Sequence, residues 1–277
     1  MARRATCNIM DEPVQPESKS ADEGEATKPG ETILRQEIET GMEQLRRPTS
    51  GLLLSAMSAG LDVGFGPLMV VTVLALIPAE SLTSRLVSAL AYSIGFVIVI
   101  LGKSELFTEH TTLAILPLLS GQTTIRRVAR LWGVVYAGNL IGAVTFASLA
   151  VLLGPGLHLF TAADVARLCD RITELGPWVI FGSGVAAGWM MGLVSWLVTA
   201  SRDTVGQILL IVLVAGSISF LHLHHSIAGS VEVLMGVFTG HVTPLGFLRF
   251  LGLATVGNAV GGIVLVAGVK YGHVSKA

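Results

Sequence analysis

The chain has 277 residues, 52% of them hydrophobic and 13% charged, with a mean hydropathy of +0.71. Soluble domains carry roughly 25% charged residues, so this composition excludes an ordinary soluble domain, and a formal net charge of −1 gives no basic footprint for nucleic acid. The two cysteines, Cys7 and Cys169, stand far apart, which argues against a disulfide framework or a CxxC-type metal site.

The first 45 positions hold ten of the 19 acidic residues and read as a disordered, acidic cytoplasmic tail rich in Pro, Ser and Glu. They contain no apolar run of the kind that makes a signal peptide. Residues 46–277 read as one transmembrane channel domain, since a span needs about 20 apolar residues. The first span is predicted at 51–78. The second runs over 86–102, is broken by the polar insert KSELFTEHTT, and resumes at 113–119. A third follows at 131–154, a polar segment at 161–176, and a fourth span at 178–200. The fifth starts at Val205, is broken by the histidines of LHLHHSIAGS, and resumes at 231–238; the sixth is predicted at 247–269. Lys and Arg near the span ends set orientation. Eight of them, among them Arg126, Arg127 and Arg130, fall on the side of the N-terminus, against four on the other, which places both termini in the cytoplasm.

The two halves share a plan, with repeats at about 46–154 and 176–271. In each, the second span is broken and the third carries a GNxxG segment, GNLIG at 138–142 and GNAVG at 257–261. From Thr108 to Asn139 is 31 residues, and from His225 to Asn258 is 33. Three spans per repeat force the halves into opposite topology. Matched interruptions of this kind are the sequence pointer to a transporter's binding site. The fold expected is therefore all-α, with six transmembrane helices in two inverted three-helix repeats and spans two and five broken. Asn139 and Asn258 are read as structural residues of the repeat.

Ionisable groups within spans face the bundle interior and mark ion or substrate paths by default. At the first break stand Lys103, Glu105, Phe107, Thr108, Glu109 and His110. Lys103 is expected to pair with Glu105 or with backbone freed at the break, and Thr108 to offer a hydroxyl at the broken tip. At the second, His222 and His224 are expected to brace the chain. His225 precedes Ser226 at the start of a resumed half-helix, where free N–H groups and the helix dipole favour an anion. Histidine changes charge near neutral pH, so His225 suits a path for a small monocarboxylate. The His and Glu residues of the two breaks, with Glu232, are of types that suit Zn or Fe, yet they lie on different spans without a metal-binding spacing. No metal, no cofactor and no enzymatic activity is expected.

The pieces ELFT at 105–108, VYAGNLIGA at 135–143, HHSIAGS at 224–230 and VGNAVGG at 256–262 together resemble the formate/nitrite transporter family over about 46–271, as a divergent branch of it. The resemblance implies an aquaporin-like fold, a homopentamer in the inner membrane with one pore per protomer, and small anions and protons as its traffic. It implies that Thr108 and His225 lie opposite each other, that Leu106 forms a cytoplasmic-side apolar constriction, and that Ile218 stands where the family often has an aromatic on the other side. The family's asparagine of span four falls on Gly188, the one following HSIA on Gly229, and its basic residue before span four has Arg171 as nearest counterpart. The implied function is a channel or transporter for formate, nitrite or a similar weak acid, proton-linked through His225. The alternatives are a pore-fold membrane scaffold without transport, favoured by the two replaced asparagines, and a pore for a neutral solute; neither break carries the NPA motif of an aquaglyceroporin.

Overall fold

A computed structural model describes residues 28–77 and 81–275. The expected disorder of the leader falls, for residues 1–27, outside the described residues. Every regular element among the described residues is helical. Five helices are long and apolar enough to cross a membrane, Thr49–Leu76, Leu82–Leu101, Ile125–Leu153, Pro177–Ala200 and Pro244–Val274. Two shorter apolar helices, Thr204–Phe220 and Ala228–Phe238, lie over the stretch read as the broken fifth span.

In chain order the elements begin with α1 (Gly30–Arg46), α2 (Thr49–Asp62), α3 (Phe65–Leu76), α4 (Leu82–Leu101), α5 (Phe107–Leu113) and α6 (Ile115–Leu119). They continue with α7 (Ile125–Leu153), α8 (Ala162–Thr173), α9 (Pro177–Ala200), α10 (Thr204–Phe220), α11 (Ala228–Phe238) and α12 (Pro244–Val260). A π-helical stretch, Gly261–Gly268, leads into α13 (Val269–Val274). Leu76, Leu152, Leu213 and Leu245 are exposed, whereas Glu37, Glu105, Asn139, His224 and Asn258 are buried. That inversion, apolar outside and polar within, suits a molecule solvated by lipid, and the protein is a membrane protein.

The helix α1 corrects the reading of residues 30–45 as tail. Ile33, Leu34, Glu37, Gly41 and Leu45 form one buried face of it, at the helical spacing that the surrounding Glu, Gln and Thr dilute in composition. The face docks against the ends of the spanning helices. Gly41 lies so close to the Leu113 carbonyl and the Pro117 ring that a Cβ there would collide with both. Glu37 accepts hydrogen bonds from the hydroxyls of Ser195 (2.8 and 3.1 Å) and Thr199 (2.5 Å) on α9. Lys28 Nζ donates to the Thr199 carbonyl (2.7 Å) beside them.

Two interruptions, at 102–106 between α4 and α5 and at 221–227 between α10 and α11, are held by the same device. The Asn139 carboxamide oxygen accepts from the N–H of Phe107 (2.8 Å), and its nitrogen donates to the carbonyls of Ala56 and Glu105 (2.8 Å each). The Asn258 oxygen accepts from the N–H of Ser226 (2.7 Å), and its nitrogen donates to the carbonyls of Gly184 and His224 (2.8 Å each). Each asparagine thus reaches back 32 and 34 residues to its own interruption. Glu105 therefore corresponds to His224, and Leu106 to His225. The sequence counts of 31 and 33 differ because Thr108 and His225 are not corresponding positions. The helices cross tightly enough for this because Gly60 and Gly188 lie against the Asn139 and Asn258 backbones, where a Cβ would clash with the carbonyl oxygens.

Two expectations follow. Replacing Asn139 or Asn258 by Ala orphans one N–H and one C=O, those of Phe107 and Glu105 or of Ser226 and His224, at about 1–3 kcal/mol for each orphan, while the Ala56 and Gly184 carbonyls keep their own helix bonds. Each variant is expected to lose on the order of 3 kcal/mol or more, seen as a fall in the unfolding temperature of the detergent-solubilised protein. For α1, burial raises the Glu37 carboxyl above its ordinary 4.5, with the Thr199 and Ser195 hydrogen bonds pulling part-way back. An acid with a raised value stabilises the docked state fully below about 4.5 and loses that contribution as pH climbs through the raised value. Glu37→Gln, which cannot ionise, is expected to match the parent near pH 4 and to exceed its unfolding temperature at pH 8. A difference that stays constant across pH counts against this.

Candidate functional site

The two interruptions bring Thr108 and His225 together. Thr108 Oγ1 lies 2.9 Å from His225 Nε2, and both residues are buried. The other ring nitrogen, Nδ1, accepts from the backbone N–H groups of Ala228 (3.1 Å) and Ile227 (3.3 Å). Since Nδ1 is an acceptor, the neutral ring carries its proton on Nε2, directed at Thr108. Phe96 packs edge-on against the imidazole, with centroids 5.1 Å apart. This geometry corrects one expectation. The N–H groups at the start of α11, read as anion donors, are engaged by the imidazole itself, and those of Gly229 and Ser230 bond to the His225 and Ile227 carbonyls.

His224 braces the same segment. Its Nε2 donates to the Ile172 carbonyl (3.0 Å), Nδ1 accepts from the Ser183 hydroxyl (2.6 Å), and its N–H donates to the same hydroxyl oxygen (3.0 Å). His222 takes a left-handed backbone, φ 52°, uncommon for a residue with a side chain. A cavity of about 40 Å³ opens beside these histidines, walled by Ile218, Tyr92, Arg171, His222, His225 and Glu232. Arg171 is brought there by α8, whose buried stripe of Val165, Leu168, Cys169 and Ile172 packs inward. Thr161 and Asp164 form a reciprocal capping box at its N-terminus. Burial pushes the Asp164 carboxyl up, but hydrogen bonds from Thr161 and Arg167 outweigh it and hold the group below the usual range.

On the other face of the contact, Glu105 pairs with Arg47 and with His110. The expected partner, Lys103, is exposed, with φ 54°. A guanidinium from the end of α1 reaches the carboxylate, and Arg130 donates to the Arg47 carbonyl (2.6 Å). Leu106 is fully buried at the first residue before α5. Three expected pathway residues have close neighbours of their own. Phe107 is wedged between Tyr136 and Trp132 of α7, with centroids 4.9 and 6.1 Å away. Ser226 is wholly buried, its N–H on Asn258. Gly188 is the crossing point described above. Gly229, too, is a matter of space, because the Phe250 ring occupies the place of a side chain there. Sequence reasoning missed Phe96, Tyr92, Ser183 and Arg47. The first two are apolar or aromatic residues of an apolar run and carry no polar signal, and the other two lie far along the chain from the groups they serve.

A family model described as formate/nitrite transporter matches residues 31–272. The chain is 29% identical to the inner membrane protein YfdC of Escherichia coli (strain K12) over 84% of its own length and 75% of the relative's. Among solved structures, an FNT family ion channel superposes with a TM-score of 0.80 at 24% identity, covering 87% of this chain and 98% of that one. A pentameric formate channel with formate bound superposes with a TM-score of 0.72 at 22% identity, covering 83% and 98%. The residues matched by the family model run from α1 into α13. The chain belongs to the formate/nitrite transporter family.

Proposed function

We propose that the protein is a pore or transporter for small monovalent anions, formate, nitrite or a similar weak-acid monocarboxylate, with proton linkage through His225. The observation that carries this reading is the Thr108–His225 hydrogen bond, made where two interrupted helices meet in the interior. Support comes from family membership and from a solved pentameric formate channel of the same fold. In this reading the chain makes six spans in two inverted three-helix repeats, α10 and α11 together forming the broken fifth. It assembles as a homopentamer in the inner membrane, with both termini cytoplasmic.

A bare ion in an apolar medium costs tens of kcal/mol by the idealised Born estimate, so the anion must be neutralised before it passes Leu106 or Ile218. Arg171 draws it into the cavity, whose 40 Å³ suits a solute of a few heavy atoms. His225 supplies the proton and recovers one through water or Thr108. As seated, its Nδ1 faces two N–H donors. Taking up a second proton therefore requires the ring to leave the Ile227 and Ala228 amides, which couples protonation to a small shift of the 221–227 segment. A scaffold without transport drew its support from the asparagines missing at 188 and 229, and packing accounts for both glycines.

The test is uptake by proteoliposomes across pH. His225→Asn and His225→Phe are expected to lose at least tenfold of the uptake of formate, nitrite or acetate and to flatten its pH dependence. If both variants keep the parental profile, the proton-relay role of His225 is wrong.

A further inference from the structure

The helix α4 carries a column of side chains that the proposed path does not use. Ser88, Tyr92 and Phe96 stand four residues apart, so they share one face of the helix. Phe96 packs edge-on against the His225 imidazole (5.1 Å between centroids), and Tyr92 packs on Phe96 (5.2 Å). Ser88 and Tyr92 both line the 40 Å³ cavity beside His225, and they are only 6% and 4% exposed. Gly216 of α10 lies against the Ala89 carbonyl, which holds α4 close and the column in place. Ser93, on the same helix, shows what a serine ordinarily does there: its hydroxyl donates back to the Ala89 carbonyl (2.9 Å). Ser148 and Ser217 make the same bond on α7 and α10. Ser88 does not. Its Oγ is buried and has no hydrogen-bond partner among the described residues.

A buried hydroxyl without a partner has given up its bonds to water and gained none in return. Such a group suits a partner that comes and goes. An anion leaving water for this cavity has the complementary need, because it loses O–H donors and finds room for only about three water-sized molecules beside it. Leu168, Ile172, Ile218 and Leu223 of the same wall offer no side-chain donor. Hydroxyls do, and they bring no charge of their own, so they bind an oxyanion without holding it fast. Resting on the anion-path reading above, we propose that Ser88 and Tyr92 form a binding subsite for a small oxyanion, formate, nitrite or a similar monocarboxylate. Their O–H groups donate to its oxygens one and two turns before Phe96, and replace the water that the ion sheds on its way to His225.

The test is the concentration dependence of labelled formate uptake by proteoliposomes of the full-length oligomer. Ser88→Ala and Tyr92→Phe each remove one oxygen atom and leave the packing in place. Together they are expected to raise the half-saturating formate concentration about tenfold, with the maximal rate and the pH profile close to parental. Either single variant, expected to give about threefold, serves if the double one does not assemble. Ser88→Thr, which keeps a hydroxyl, is expected to keep the parental half-saturation. In detergent without formate, Ser88→Ala is expected to unfold at no lower temperature than the parent. A half-saturation in the variants that matches the parent's overturns this proposal alone, as does a lowered maximal rate with half-saturation unchanged. So does a Ser88→Ala protein that unfolds below the parent, which would make the hydroxyl a structural partner. Formate uptake by the parent no greater than in empty vesicles would instead sink the anion-path reading, and this inference with it.

Discussion

Where a helix stops inside an apolar surround, the amides and carbonyls it releases find no water, and each one left unpaired costs several kcal/mol. This protein stops two helices in that way, at 102–106 and at 221–227, and most of its buried polar chemistry answers the consequence. Asn139 and Asn258 each bind three main-chain groups. His225 covers two amides at the start of α11, and His224 ties the same segment to α8 and α9. The contact between Thr108 and His225 exists because these bonds hold two otherwise unsupported chain segments at a fixed separation.

Buried charge is handled by three different means. Glu105 has a guanidinium and an imidazole as partners. Glu37 has only hydroxyls, which offset part of the upward push that burial gives its carboxyl. Glu232 shares a small cavity with Arg171. Burial favours the neutral acid, whereas donors to the carboxylate, hydroxyl or guanidinium, favour the ion.

The apolar spanning helices and the Thr108–His225 contact were legible from hydropathy, polar inserts and the family motifs. Other features depended on through-space partners that no local pattern records. The α1 face was hidden because its acidic member, Glu37, finds hydroxyls 158 and 162 residues away. Lys103 was the nearest cation to Glu105 in sequence, but Arg47, 58 residues back, is the nearest in space. Gly188 and Gly229 read as lost functional groups, since a sequence shows which side chain is missing and not what fills its volume. Phe107 sits among residues that mark the path and turns instead into the aromatic wall of α7.

The two asparagines bond only to main-chain atoms. A carboxamide that reads backbone is indifferent to the side chains mounted on that backbone. Glu105 and His224 occupy corresponding places, as do Leu106 and His225, without disturbing the shared frame. Frame and chemistry are therefore separable characters of this architecture. Residues at the two interruptions can diverge, and the permeating species with them, while the scaffold that presents them stays the same.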